Sequence, residues 1–463
     1  MFFNDTEIFR TSTAEPTPNG IIWSYVKDMS NYLTLFRAPQ KIIFDLGNLI
    51  DDTYTGSWNN TLTATFFTTE NAIEPADAII PVSSRRSVDN APSGFVVPES
   101  RAINNLLLPQ NARKAVFSIS ACGQAAEEFW WSNVLTSDTH VFGNDTTLYG
   151  HSPFRELRLM IDGYIAGVAW PFPVIFSGGV VPGFWRPIVG IDAFDLREDE
   201  IDITPFLPLL SDGQPHTLEV QVVGVDDDGR GNGHFTAAIE SNWVVTGKVF
   251  VWLDHHRNAT TGTLPTISAP EPSIALFSAR KQGLNGTVES LEYSIEVTRY
   301  INVQSTLTTS TGSKLITWTQ NLTFSNSGTL SNQGNDQIMR QTTAGTSLGP
   351  SSRYSRTFEY PLSVISSYNA PTGGNLTIDA KMGRGKYVQQ SGDLAFPNEW
   401  RSFDYTRLPS TYYGDTMFQG SNVNNWQNGT ASYLSVPAER GPMGLELRNN
   451  YTHLMVLAMR LSP

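Results

Sequence analysis

The sequence has a single cysteine, Cys122, among 463 residues. One cysteine excludes an intrachain disulfide framework and any zinc site built from several thiolates. Cys122 lies in the apolar run AVFSISAC, where a buried and unreactive thiol is expected rather than a nucleophile. The cellular compartment must therefore be predicted from other features.

Charged residues are also scarce, at 16% of the chain, and 31 Lys and Arg stand against 44 Asp and Glu, for a net charge of −13. No run of basic residues interrupts this acidic character. Nucleic acids and anionic membrane surfaces are therefore poor candidates for partners. No apolar stretch approaches the roughly 20 residues that a helix needs to cross a bilayer, so no membrane segment is predicted.

Familiar metal-binding and catalytic motifs are missing from the sequence. The acidic stretch that begins at Asp226 lacks the spaced ligands and the closing glutamate of an EF-hand loop. His255 and His256 are adjacent, without the spacing of metal ligands. The sequence contains neither a nucleophile-elbow motif nor a phosphate-binding loop. We therefore predict no metal site.

Aromatic residues, in contrast, make up 11% of the chain, and Ser, Thr, Asn and Gly are abundant, which is typical of an extracellular β protein. The glycosylation pattern Asn-x-Ser/Thr occurs nine times, at Asn4, Asn59, Asn144, Asn258, Asn285, Asn321, Asn375, Asn428 and Asn450. We expect a secreted or vacuolar protein. The first residues, MFFNDTEIFRTSTAEPT, resemble the middle of a domain, so we expect a signal segment and further strands upstream of Met1.

Hydrophobic residues alternate with polar ones in several runs, including ELRLMID from Glu156, TLEVQVV from Thr217 and SLEYSIEV from Ser290. This period of two is typical of half-buried antiparallel strands. Turn signals such as Asp162-Gly163 and Asp212-Gly213 separate the runs. Helical periodicity is rare, so the pattern predicts an all-β protein.

The chain divides into three strand-rich blocks. We predict an incomplete first β-sandwich over residues 1–71 and a second sandwich over residues 72–257, which carries most of the site. A linker follows over residues 258–272, because NATTGTLPTISAPEP is rich in turn-forming residues. Residues 273–463 are predicted to form a C-terminal, β-sandwich-like domain.

The densest chemical region begins with two adjacent carboxylates, Glu127 and Glu128, beside Phe129, Trp130 and Trp131. Aromatic neighbours desolvate a carboxyl group and raise its pKa, which keeps it protonated for use as a general acid. Exposed indole rings also stack on sugars, so both tryptophans are candidate substrate contacts. In the alternative interpretation the aromatic residues belong to the core and both glutamates face solvent.

The stretch from Trp170 to Arg186 is rich in Pro, Gly and aromatic residues. Such loops make rigid walls for ligands, and we predict that Trp170, Trp185 and Arg186 contact the substrate. Arg186 can orient a carbonyl or carboxylate group through paired hydrogen bonds. A structural ion pair of Arg186 with Asp192 or Asp195 is an equally weighted alternative.

Further candidates lie at strand ends and turns. Arg10 and Glu15 belong to an acidic and basic cluster around RTSTAEPT, and Asp45 follows the apolar run of KIIFD. A carboxylate at the end of a strand is positioned to face a cleft. Asp162, in a predicted turn, completes the set of candidate substrate contacts.

Four stretches closely resemble fungal peptide:N-glycanase A-like proteins: RTSTAEPTPNGIIWSYVKDMSNY from Arg10, GQAAEEFWWSN from Gly123, PFRELRLMIDGYIAGVAWPFPVIFSGGVVPGFWRPIVGIDAFDL from Pro153, and EIDITPFLPLLSDGQPHTLEV from Glu200. The resemblance covers nearly the entire chain. It implies tandem jelly-roll sandwiches that hydrolyse the amide between an N-glycan and asparagine in glycoproteins or glycopeptides. It implies activity at acidic pH without a metal or organic cofactor.

The resemblance also assigns residues. Glu128 is the preferred catalytic acid because the wider family has EFW at this point, and Asp45 matches an acid that closes a strand in bacterial relatives. Trp185 and Arg186 lie where a bacterial relative orders water and glycan. The principal catalytic aspartate belongs to a WDR-like motif, which by this correspondence lies upstream of Met1.

The hypothesis for the mechanism uses two acids with separated pKa values. Glu128 polarises or protonates the scissile amide, while Asp45 and Arg186 orient water and the Asn carbonyl group. Two alternatives stay open at this stage: a non-catalytic glycan-binding sandwich and an inactive fragment of the enzyme. The sequence does not predict an oligomeric state.

Overall fold

The computed structural model describes residues 1–14, 20–25, 27–47, 50–52, 55–66, 74–181, 184, 190–256, 259–350, 354–370, 376–391, 416–417, 420–435 and 445–450. Within these residues the prediction of an all-β protein is confirmed, because the strands form four antiparallel sheets. No helix among the described residues is long and apolar enough to cross a membrane.

The strands in chain order are β1 (Phe2–Phe3), β2 (Thr6–Glu7), β3 (Ile42–Ile43), β4 (Ala78–Val82), β5 (Phe95–Val97), β6 (Ala102–Leu106), β7 (Ala112–Gln124), β8 (Glu156–Ile161), β9 (Tyr164–Ala169), β10 (Asp199–Asp202), β11 (His216–Asp227), β12 (Gly233–Thr236), β13 (Asn242–Leu253), β14 (Thr261–Gly262), β15 (Thr266–Ser268), β16 (Ser273–Gln282), β17 (Val288–Thr309), β18 (Gly312–Ser331), β19 (Asp336–Leu348), β20 (Ser355–Asn369), β21 (Leu376–Ser391), β22 (Thr416–Met417), β23 (Gly420–Ser435) and β24 (Leu445–Asn450).

Helical structure in the described residues is short. The α-helix α1 spans Leu207–Leu210, and 3₁₀ helices span Ser30–Arg37, Ser87–Asp89, Ala125–Ser132, Thr136–Asp138, Thr204–Phe206 and Asn332–Gly334.

The centre of the molecule is a sandwich of two five-stranded sheets. One sheet has the order β10-β7-β13-β4, with β5 also paired to β13, and the other has the order β12-β11-β8-β9, with β6 also paired to β11. The alternating apolar positions face the core as predicted: Leu157 and Leu159 of β8 and Leu218 of β11 are fully buried. Period-two burial of this kind is the direct product of the pleated strand.

The described part of residues 1–45 forms a layer on the outer face of the first sheet. Their strands make a three-stranded sheet with the order β2-β1-β3, and the ring of Tyr32, in the first 3₁₀ helix, lies 5.7 Å from that of Phe250 in β13. Strands β7 and β13 are covered on both faces and are therefore buried at nearly consecutive positions.

The C-terminal strands form one 11-stranded sheet with the order β14-β17-β18-β19-β20-β21-β23-β22, to which β15, β16 and β24 are also paired. Its inner face packs on the second sheet of the sandwich. The rings of Phe324 and Phe154 lie 5.1 Å apart, and the side-chain amide of Gln320 bonds both the N–H and the carbonyl oxygen of Val168 in β9. The predicted linker contains β14 and β15, which pair with β17 and so belong to this sheet.

Candidate active site

The chain folds back sharply at the end of β7. Gly123 allows this close approach, because a Cβ atom there would lie 2.1 Å from the carbonyl oxygen of Glu127. Ala125 then adopts a left-handed conformation with φ of 53° and begins the 3₁₀ helix that carries both glutamates. The sequence GQAAEE therefore forms a tight turn whose backbone is fixed against the strand that precedes it.

Glu127 anchors this turn from inside the sandwich. Its carboxylate accepts hydrogen bonds from Arg155 at 2.6 and 2.7 Å, from Trp243 Nε1 at 2.7 Å and from the backbone N–H of Glu240 at 2.9 Å. Burial raises the pKa of Glu127, but the hydrogen bonds and the charge of Arg155 lower it by more, so the net pKa is below the usual range. The expectation that Glu127 faces solvent is wrong.

Glu128 is in a different environment, although it is the next residue. It is half-buried, and burial raises its pKa above the usual range. Among the described residues no opposing charge lowers that pKa, in contrast to Glu127. A carboxyl group of this kind stays protonated at higher pH than a free glutamate and has a proton to donate.

Phe129 connects the turn to the loop that follows β9. Its ring edge lies 3.3 Å from where a Cβ atom on Gly179 would sit, and its ring centroid lies 5.9 Å from that of Trp131. The turn with Glu128 and the loop after Trp170 are therefore neighbours.

Three of the four tryptophans predicted to contact the substrate are core residues. Trp130, Trp131 and Trp170 are only 4%, 2% and 3% exposed. The backbone carbonyl of Trp131 accepts a hydrogen bond from Asn326 of the C-terminal sheet at 3.0 Å, and Trp170 Nε1 donates to Glu156 at 2.9 Å. Their ring faces offer no open surface for stacking, so the structure supports the alternative interpretation in which they pack the interior.

The guanidinium group of Arg10 is hydrogen-bonded to other protein groups and does not face an open cleft. It forms two 2.7 Å hydrogen bonds to the carboxylate of Glu7 and a third, of 2.7 Å, to the carbonyl oxygen of Val244 in β13. Burial raises the pKa of Glu7, but the charge of Arg10 and its hydrogen bonds outweigh this and lower the pKa to about 2. The predicted substrate contact through Arg10 is therefore replaced by a link between the N-terminal layer and the sandwich.

Asp162 is a turn-capping residue at the tip of the β8–β9 hairpin. It accepts a 2.6 Å hydrogen bond from His216 Nδ1 and a 2.8 Å bond from the backbone N–H of Thr217. Because β9 spans six residues, this tip lies roughly 20 Å from Trp170 at the other end of the strand. Asp162 therefore lies away from the turn that carries Glu128, contrary to its predicted role in substrate binding.

Of the remaining candidate residues, the structure describes only Asp45. Asp45 is exposed and follows β3, whose Ile43 pairs with Phe2 in the N-terminal layer. No hydrogen bond joins Asp45 to Glu128 among the described residues, so their cooperation stays a prediction. Glu15, Trp185 and Arg186 lie outside the described residues.

Two models of known protein families match this chain. Residues 1–270 match the family model described as peptide N-acetyl-beta-D-glucosaminyl asparaginase amidase A. The chain belongs to this family. Residues 292–362 match the PNGase_A C-terminal domain, and the boundary between the two matches falls where the sandwich gives way to the C-terminal sheet.

A relative in Prunus dulcis, peptide-N4-(N-acetyl-beta-glucosaminyl)asparagine amidase A, is 32% identical over 358 residues. The alignment covers 74% of this chain and 59% of the relative, so the chain spans under two thirds of that protein's length. No solved structure matches the chain.

This member of the amidase A family has other buried ionic groups that were not predicted from the sequence. Lys248 Nζ lies 2.7 Å from the carboxylate of Glu198, which also accepts hydrogen bonds from Ser118 and, at 3.0 Å, from Tyr32. Lys248 is the only charged residue of β13, NWVVTGKVFVWL. A single charge in an apolar strand was the available signal for a buried pair.

The two aspartates considered as partners of Arg186 have other partners. Asp195 accepts hydrogen bonds of 2.7 Å from Lys27 and 2.8 Å from Tyr25. Asp192 pairs with Lys386 of the C-terminal sheet. Both carboxylates thus help to join layers of the molecule.

Proposed function

We propose that this chain hydrolyses the amide bond between the innermost N-acetylglucosamine of an N-glycan and its asparagine. Water adds to the side-chain carbonyl, the C–N bond breaks, the nitrogen leaves on the sugar with an added proton, and aspartate stays in the peptide. The match of residues 1–270 to the amidase A family supports this reaction. The name of the relative from Prunus dulcis supports the same substrate class.

Within the site, the single observation that carries the proposal is the contrast between Glu127 and Glu128. The carboxylate of Glu127 is neutralised by Arg155. The turn that Glu127 anchors holds Glu128 half-buried, with a raised pKa. A protonated carboxyl on a rigid turn can deliver the proton that the departing nitrogen requires. Asp45 and Arg186 complete the proposal as groups that orient the water and the Asn carbonyl.

A raised pKa of the acid also sets the pH dependence. The rate should fall as pH rises through the pKa of Glu128, because the proton donor is then lost. We therefore propose an enzyme that works at acidic pH, in keeping with a secreted or vacuolar location.

Mass spectrometry of a glycopeptide incubated with the protein tests the function. We expect free glycan and a peptide in which Asn has become Asp. Replacing Glu128→Gln should reduce the rate by on the order of 10² to 10⁴, whereas Glu99→Gln, an exposed glutamate in a turn, should leave it unchanged. Glycan bound without conversion by the unaltered protein would instead support the alternative, a glycan-binding sandwich.

A further inference from the structure

The outer face of the C-terminal sheet holds a concavity of about 990 Å³ that crosses β17 to β21. We call it the trough. It lies on the face opposite to the one that packs on the sandwich. The turn that carries Glu128 contacts that inner face, where Asn326 bonds the carbonyl oxygen of Trp131. The trough is therefore separate from the candidate active site.

Strand register arranges the floor of the trough in rows. One row runs directly across the five strands through Tyr300, Asn321, Thr346, Thr357 and Gln389. Four spacings between neighbouring strands make such a row roughly 19 Å long. That length suits an extended ligand of several units rather than a single small molecule.

A second row lies two residues along each strand. It contains Thr298, Thr323, Ala344, Glu359 and Tyr387, again in direct register. Because Tyr300 begins the first row on β17 and Tyr387 ends the second on β21, the two phenol rings stand at opposite ends of the trough. Polar side chains fill the space between them.

These side chains are free to meet a ligand. Tyr300 is 40% exposed, and Asn321, Thr357 and Gln389 are exposed as well. Among the described residues, none of the polar side chains in the two rows makes a side-chain hydrogen bond. On the inner face of the same strands, by contrast, Gln320 bonds Val168.

The chemistry of the lining excludes several ligand classes. The described residues of the lining offer hydroxyls, amides and the carboxylates of Glu271 and Glu359, and their one cation, Arg299, belongs to the inner face, 3.7 Å from Glu156. Phosphate groups and acidic peptides would find no opposing charge. A peptide that adds as a strand needs a free sheet edge, whereas the trough lies across strands that are paired on both sides.

We propose that the trough binds a neutral oligosaccharide carried by another molecule, as a second sugar site apart from the one at Glu128. Sugar hydroxyls match the row of hydroxyl and amide groups, and the apolar C–H face of a sugar ring packs on each tyrosine. The proposal does not depend on amidase activity in this chain.

The chain itself offers a competing source of sugar, because Asn321-Leu322-Thr323 is a glycosylation sequon in the floor of the trough. Production of the full chain in a bacterial host without N-glycosylation removes that source. The probe is the free pentasaccharide core of N-glycans, which lacks the amide bond to asparagine and so is not a substrate of the proposed reaction. Titration calorimetry measures its binding.

We expect the pentasaccharide to bind, and the double variant Tyr300→Ala and Tyr387→Ala to weaken binding by on the order of tenfold or more. Tyr368→Ala, another exposed tyrosine of the same sheet at 43% exposure, is the matched control and should bind as the unaltered chain does. Unchanged thermal unfolding of the variants would show that the sheet is intact.

Three results would overturn the proposal. The first is no binding by the unaltered chain, and the second is binding that Glu128→Gln removes and the double tyrosine variant keeps. The third is a chain secreted from a eukaryotic host that carries a glycan on Asn321, as shown by mass spectrometry, and no longer binds the pentasaccharide. Failure of glycopeptide hydrolysis would leave the binding result as it stands.

Discussion

The described part of residues 1–45 and the C-terminal sheet cover opposite sides of the sandwich, and the two junctions differ in chemistry. Buried ion pairs line the N-terminal junction, one within the N-terminal layer, one within the sandwich and one between the two: Glu7 with Arg10, Glu198 with Lys248, and Lys27 with Asp195. The C-terminal junction also has ion pairs, such as Lys386 with Asp192, and it adds the aromatic contact of Phe154 with Phe324 and the neutral hydrogen bonds of Gln320.

This difference has consequences for stability and for function. Ion pairs respond to pH, whereas aromatic packing and amide hydrogen bonds do not. In an enzyme proposed to work in acid, the neutral contacts at the C-terminal junction keep their strength over a wide pH range, whereas the ion pairs of the two junctions carry the pH sensitivity. The Glu128 turn lies between them, with Arg10 bonded to Val244 of β13 on one side and Asn326 bonded to Trp131 on the other.

The largest effect on the N-terminal junction should come from Lys248→Met. It leaves the carboxylate of Glu198 buried without its cation, which costs about 3–5 kcal/mol in the free energy of unfolding. Urea titration at neutral pH measures this loss. Lys281→Met breaks a comparable pair with Glu289 in which the two side chains are 74% and 51% exposed, and it should cost at most about 1 kcal/mol. Equal losses from both variants would show that burial does not distinguish these pairs.

Acid should weaken the N-terminal junction through Glu7. Its pKa falls to about 2 in the folded chain from an ordinary value of 4.5, so the folded state binds fewer protons than the unfolded state in this range. The stabilisation is complete above pH 4.5 and is lost as pH falls through the folded pKa, by on the order of 3 kcal/mol.

The measurement compares unfolding free energies at pH about 5.5 and about 3. In the double variant Glu7→Gln and Arg10→Met, the part of the pH dependence that belongs to this pair should disappear. The same slope in the variant and in the unaltered chain would assign the acid sensitivity to other carboxylates.

Local features of the fold could be predicted from the sequence, whereas contacts between distant residues could not. Strand positions followed from period-two alternation, because the pleat imposes it locally, as Leu157 and Leu159 illustrate. Which of two adjacent glutamates is buried did not follow, because the partner of Glu127 is Arg155, 28 residues away. The tryptophans were ambiguous for a similar reason, since an indole ring suits a core as well as a sugar site.

The site was thus predictable in composition and not in geometry. EEFWW showed two carboxylates beside aromatic residues, and the family resemblance favoured Glu128, whose catalytic role stays a prediction. The surroundings of Arg10 and Asp162 depended on partners that only the fold brings close, such as Val244 and His216. Long-range pairing of charges leaves no periodic pattern in the sequence.

The smallest effect is expected at the C-terminal junction, from Gln320→Leu. The change leaves the N–H and carbonyl groups of Val168 without their 2.9 and 2.8 Å partners, which costs about 1–3 kcal/mol. Gln304→Leu, an exposed glutamine of β17, is the matched control and should be nearly neutral. Because both partners at Val168 are uncharged, the loss in Gln320→Leu should be the same at pH about 5.5 and about 3, in contrast to the Glu7 pair. A loss that changes with pH would mean that the hydrogen bonds of Gln320 are coupled to charged groups, such as the Arg299–Glu156 pair of the same junction.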